Sequence, residues 1–392
     1  LRHAPLWIVR CMACGPKEHR LLVASTLERV IQRADELAEF LALYWKNKRQ
    51  PLSAQVKKGL GAAFKKFNSY QLAKYNRDAS IKLRDVLFLV HPTPKDSDQQ
   101  KTWDKLVAGT LESPDTWEVA LSASKGSEKG EVWSRLLEEN KLGPLALIRN
   151  LRNMEQASVD TGLIRSALTR CKPERVLPFR FVAAAKRVPK FEPELDQLML
   201  RCCEGLQRLG GETIIVVDVS GSMYVTSLSK YSDMNRAYTA CALAALAREV
   251  CTASDIYATA GTDRTRIHQT TRVPARRGMA LVDAIYQLCR SLGGGGIFLK
   301  QCLDYIWEDR RAKMADRLIV VTDEQDCDND PAKAPAHARH IAKRQYIVNI
   351  ASYKNGIAYG PWTRIEGWSD AILSYIAAIE GAGLGANGQL NQ

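Results

Sequence analysis

The stretch TIIVVDVSGSMYVTS, residues 213–227, begins as a β-branched run and then stops at an aspartate followed by two serines. An unbroken run of this kind suits a parallel strand buried on both faces. Asp218 ends the run, and Ser220 and Ser222 alternate after it, so three oxygen-bearing side chains can face one point. Asp323 closes a second such run, RLIVVTD (317–323), and can join them. Carboxylates, hydroxyls and water are the donors that Mg²⁺ prefers. Asp218, Ser220, Ser222 and Asp323 are therefore candidate ligands of a divalent cation, Mg²⁺ first among them. Read separately, Asp218 would cap a turn and Ser220 would be an ordinary turn residue. The D-x-S-G-S pattern at a strand end favours the joint reading.

The surroundings fit an α/β sheet. DIYATA (255–260) and QYIVNIA (345–351) read as further strands, with helical patterns near 233–250, 279–291, 298–310, 333–343 and 369–380. Alternating β and α elements imply a doubly wound, Rossmann-like sheet whose site lies beyond the carboxyl ends of its strands. GGGG (293–296) lacks the Lys-Ser/Thr ending of a P-loop and reads as a loop that lets backbone approach the site. Enzymatic readings fare poorly. A phosphoaspartate hydrolase would want a second aspartate where Ser220 stands. The nucleophile elbow is absent too, because Ser222 follows one glycine and precedes Met223. The expectation is a protein that is not an enzyme.

Residues 1–205 have a different rhythm, with apolar residues at spacings of three and four. In 21–45 these are Leu27, Val30, Ile31, Ala34, Leu37, Ala38 and Leu41; in 54–75 they are Val56, Leu60, Phe64 and Phe67. Two more short helices, broken at Gly143-Pro144, fill 132–154. Successive amphipathic helices predict an all-α, solenoid-like array. Residues 1–210 hold 36 Lys+Arg against 24 Asp+Glu, whereas 211–392 hold 20 against 19. The basic half is the one expected to meet a polyanion.

Within that half, IKLRDVLFLVHP (81–92) places Leu83, Val86, Leu87 and Val90 on one helical face and Arg84, Phe88 and His91 on another. Lys74 and Arg77 sit one turn apart upstream, and Lys82 precedes Arg84. Cations neutralise phosphates, and rings stack unpaired bases, so this surface suits single-stranded RNA. KKGLGAAFKKF (57–67) adds lysines 57, 58, 65 and 66, readable as phosphate contacts or as solubility charges. The ten cysteines form no framework; Cys11 and Cys14 lack a second pair for zinc, and small buried thiols in a reducing, cytoplasmic setting are expected. No apolar run approaches ~18 residues, so a membrane partner is not expected.

Taken together, D-x-S-G-S and the segments PLWIVRCMA, ALYWKNKRQPLSAQVKKGL, AFKKFNSYQLAKYNRD, LGPLALIRNLRNM, ATAGTDRTRIH and VTDEQ resemble the Ro autoantigen family of TROVE-domain RNA-binding proteins. The resemblance implies a ring of HEAT-like helical repeats (1–208) followed by a von Willebrand factor type A domain with a metal-ion-dependent adhesion site (209–392). It further implies binding of small noncoding Y-like RNAs and of single-stranded 3′ ends of misfolded noncoding RNAs, with an exoribonuclease recruited through an RNA scaffold. Lys74 and His91 match family positions that contact RNA, with Arg77, Lys82 and Arg84 in the same motif. Gly296 stands where the family has a loop threonine, which implies a weakened metal site. Family members also carry more helix before PLWIVR. The alternative function is a protein–protein adaptor whose bound metal takes a carboxylate from an acidic protein ligand.

Overall fold

The computed structural model describes residues 3–46, 50–76, 78–112, 116–124, 128–228, 233–327, 339–351, 362–369 and 371–381. Two compact units divide the chain, Leu1–Val132 and Trp133–Gln392.

The first unit is helical: α1 (Ala4–Cys14), α2 (Lys17–Leu21), α3 (Val23–Val30), α4 (Asp35–Tyr44), α5 (Ala54–Phe64), α6 (Ser69–Tyr75), α7 (Leu83–Val90), α8 (Ser97–Ala108), α9 (Trp117–Ala123) and the start of α10 (Glu128–Glu138). The apolar periodicity of 21–45 is real, but it spans two helices. Glu36 accepts hydrogen bonds from Gln32 N at 2.7 Å and Arg33 N at 3.0 Å, so its carboxylate satisfies amide donors ahead of α4 and separates it from α3. Leu27, Ile31, Leu37 and Leu41 are buried together with Val56, Leu60 and Phe64 of α5. The contact between α3 and α5 is close because Gly59 has no side chain: an added Cβ would lie 2.8 Å from Ala24 O and from Leu27 Cβ.

The second unit opens with helices. The rest of α10 is followed by α11 (Pro144–Gln156), α12 (Thr161–Arg170), α13 (Phe179–Arg187) and α14 (Glu192–Glu204). The change from helix to strand thus falls near 208, where the sequence places its domain division, yet the compact unit begins at 133. The reason is packing. α14 buries Leu195, Leu198, Met199 and Cys202 and contacts α16 (Arg236–Val250) and α17 (Gly278–Leu288). Asp196 also accepts a hydrogen bond from Met279 N at 2.8 Å, capping α17.

Strands β1 (Leu209–Asp218), β2 (Cys251–Thr262), β3 (Ile267–Arg272), β4 (Ala315–Thr322), β5 (Ala342–Asn349) and β6 (Thr363–Glu366) form one sheet in the order β3-β2-β1-β4-β5-β6, parallel except for β3. Its helices include α15 (Gly221–Val225), α16, α17, α18 (Leu299–Asp309) and α19 (Ala371–Gly381). The α/β expectation holds, with two strands added. β3, IHQTTR, is polar and half exposed at an edge, and β6 is four residues long, so neither carries an apolar run. The helix expected near 333–343 lies mostly outside the described residues, and its last two positions belong to β5. α16 is buried nearly all round, as a helix packed on several sides must be.

Candidate functional site

Strand order reverses between β1 and β4, whose paired residues include Val217 and Val321. Parallel sheets open a crevice beyond the strand ends at such a switch point. Asp218 and Asp323 stand there, both fully buried. Asp218 is held from two sides: its Oδ1 accepts from Ser220 N at 2.9 Å and its Oδ2 accepts from Thr322 Oγ1 at 2.6 Å. Burial, together with the nearby Asp323 charge, pushes the Asp218 carboxyl up to about 7. Ser220 Oγ lies 3.3 Å from Ser222 Oγ. The structure therefore brings the two serines together beside Asp218, as the alternation predicts. The glycine run packs against this turn. Gly221 N donates to Gly295 O at 3.1 Å, and a Cβ on Gly221 would lie 2.6 Å from Gly294 O.

Three consecutive buried polar residues, Thr322, Asp323 and Glu324, tie the end of β4 to three other elements. Thr322 reaches β1. Asp323 Oδ2 accepts from Arg236 Nη1 at 2.9 Å, at the start of α16. Glu324, in the left-handed conformation at φ 60°, takes a bidentate pair from Arg364 of β6 at 2.8 and 2.6 Å. Sequence reasoning stopped at Asp323 and missed Arg236, Thr322, Glu324 and Arg364. The only signal available was an arginine at the first position of a helix, where the macrodipole disfavours a cation.

As it stands, this donor set does not fit an open octahedral cation. Gly296 offers no side-chain donor, and Cys327 fills the space in front of it: a Cβ on Gly296 would overlap Cys327 Sγ. A guanidinium already occupies one oxygen of Asp323. Its other oxygen, Oδ1, is buried with no hydrogen-bond partner among the described residues.

One basic surface lies in the first unit. Lys57, Lys58, Lys65 and Lys66 of α5 and the turn after it, with His91, Thr93 and Lys95 beyond α7, line a groove of 450 Å³ that also includes Glu28. Among the described residues, the ammonium groups of Lys57, Lys58, Lys65 and Lys95 have no acidic partner. Lys66 differs. Its Nζ donates to Glu28 O at 2.5 Å and to Ile31 O, so it closes the end of α3, and burial lowers its pKa.

The predicted RNA contacts are only partly gathered. His91 ends α7 in the left-handed conformation at φ 49° and leaves the helical face that it was expected to share with Arg84 and Phe88. That turn places it in the lysine groove. Arg84 and Phe88 are exposed on α7. Lys82 precedes its first turn and pairs with Asp78 at 2.7 Å, roughly 13 Å along the axis from His91. Lys74 is half-buried on α6, about equidistant from the rings of Tyr70 (6.0 Å) and Tyr75 (5.9 Å). Arg77 lies outside the described residues.

A helical-repeat region followed by a type A-like α/β sheet is the class of protein that this fold and these sites define. A TROVE domain matches residues 96–291, half of the chain. Mouse telomerase protein component 1 is 32% identical over 102 residues, which are 24% of this chain and 4% of that protein. The rat counterpart is 31% identical over 102 residues, again 24% and 4%. The chain thus spans a small part of these curated relatives. The crystal structure of the Deinococcus radiodurans Ro (RSR) protein has the same fold, with a TM-score of 0.68 at 17% identity over 96% of this chain and 87% of that one. The chain belongs to the TROVE-domain family of Ro autoantigen relatives, a family of RNA-binding proteins.

Proposed function

We propose that this chain binds noncoding RNA through the lysine groove of its first unit, without cleaving it. The observation that supports the reading is the set Lys57, Lys58, Lys65 and Lys95, without acidic partners among the described residues, converging with His91 on one concave surface. Four cations held near one another without acidic partners repel, and a polyphosphate backbone relieves that repulsion while releasing its own counterions. Phe88 lies exposed on the same helix that delivers His91, where it can stack an unpaired base. Small Y-like RNAs and single-stranded 3′ ends of misfolded RNAs are the proposed ligands, with RNA scaffolding or quality control as the role and a recruited exoribonuclease as the further partner. Binding is favoured over catalysis because Asp218 and Asp323 are each engaged, by Thr322 and by Arg236.

Fluorescence anisotropy with an RNA carrying a single-stranded 3′ tail tests the reading. Replacing Lys57, Lys58, Lys65 and Lys95 by alanine should weaken binding at least about tenfold and flatten the salt dependence by roughly 0.7 in slope per lost phosphate contact. Melting temperature should stay within a degree or two. An unchanged slope would remove the groove from the binding surface.

A further inference from the structure

We infer that Arg236 is the resident cation of the acidic pocket and competes with a divalent ion for Asp323. The inference is independent of the RNA reading, because it concerns a site within the second unit alone.

Arg236 is the first residue of the fifteen-residue α16 and is 7% exposed. A buried guanidinium at a helix amino end is opposed both by desolvation and by the positive pole of the macrodipole. It is stable there only with an anion beside it, and Asp323, with 0% exposure, supplies that anion at 2.9 Å. The same contact does for Asp323 what a metal would do: it places positive charge against a carboxylate that has lost its water.

Asp323 Oδ1, buried and without a hydrogen-bond partner among the described residues, marks the direction in which a further ligand would be accepted. The guanidinium on Oδ2 opposes a second cation there, since two like charges within a few ångströms in a dry pocket repel by several times the thermal energy. Gly296 and Cys327 act in the same sense. The thiol fills the space that a side chain at 296 would need, so the pocket offers no hydroxyl from that loop. Arginine thus holds β4 and α16 together without metal. Removing it should turn the pocket into a divalent-cation site built on Asp218, Ser220, Ser222 and Asp323.

The test uses the full chain and two readouts. Free Mn²⁺, followed by electron paramagnetic resonance during titration, reports binding; melting temperature with chelator or with millimolar Mg²⁺ reports linkage. The wild-type protein should melt at the same temperature in both buffers. Arg236→Gln should melt about 10 °C lower in chelator, because it leaves a buried carboxylate uncompensated. In Mg²⁺ it should recover most of that loss, and it should bind Mn²⁺ at least about tenfold more tightly than wild type. Arg236→Lys keeps the charge and should keep the metal-indifferent melt; it remains a valid readout if Arg236→Gln folds only in Mg²⁺. Two results would overturn the inference. One is a wild-type melt that Mg²⁺ raises as far as it raises the glutamine variant. The other is Mn²⁺ affinity equal across all three proteins.

Discussion

The lysine groove of the first unit and the acidic pocket of the second are both clusters of like charge, and they are managed in opposite ways. Lys57, Lys58 and Lys95 remain exposed, and water screens their repulsion. Asp218 and Asp323 are fully buried, where screening is weak, so Ser220, Thr322 and Arg236 meet them directly. A cluster left in water keeps its capacity for an external partner; a cluster taken out of water must be satisfied from within. Lys66 is exposed like its neighbours, yet its ammonium is taken up by carbonyls at the end of α3 and is already satisfied within the fold.

This contrast predicts that substitutions in the pocket cost stability and those in the groove cost binding. The largest effect should come from Asp323→Ala, which removes the buried carboxylate that the Arg236 guanidinium faces. A loss of about 3–5 kcal/mol in urea unfolding is expected, with RNA affinity of the folded fraction unchanged. A loss below about 1 kcal/mol would mean that the pair does not clamp β4 to α16. Next is pH. The Asp218 carboxyl is raised to about 7 from an ordinary 3.8, so the folded protein keeps a proton that the unfolded chain has released between those values. Stability in chelator should therefore fall as pH rises from about 4 to 7, by about 2–4 kcal/mol, and level off above that. Asp218→Asn should flatten the profile across this window; an unaltered slope would assign the dependence to other groups.

Smaller effects belong to the first unit. Phe88→Ala should weaken binding of single-stranded RNA by about 1–2 kcal/mol while leaving a blunt duplex nearly unaffected, as measured by competition. Loss of both equally would speak against stacking. The smallest is His91→Gly. Glycine adopts φ 49° freely, so it should stabilise the fold by about 0.5–1 kcal/mol while weakening RNA binding. A variant that gains stability and keeps full affinity would show that the left-handed turn alone, without the imidazole, shapes the groove.

Much of the architecture is legible in residue order. Leu83, Val86, Leu87 and Val90 are buried as their spacing requires, and Thr213–Val217 form the centre of the sheet. Ser220 and Ser222 meet because alternation over two residues is a local property. β3 escaped because a polar edge strand lacks the pattern that burial imposes. Helices 133–204 were grouped with their helical predecessors by periodicity, although α14 packs on α16 and α17. His91 was placed on the face of α7 because periodicity extends a helix until something stops it, and the left-handed cap is invisible to spacing.

The sequence by itself determined where strands and helices form and that Asp218, Ser220 and Ser222 share a turn, since these depend on neighbours within about one helical turn. Only the tertiary structure decided what charge those carboxylates meet. Arg236 lies 87 residues from Asp323 along the chain, and they touch because α16 starts beside the point where β4 ends. Propensity carries no information across such a separation; packing of the sheet and its helices does.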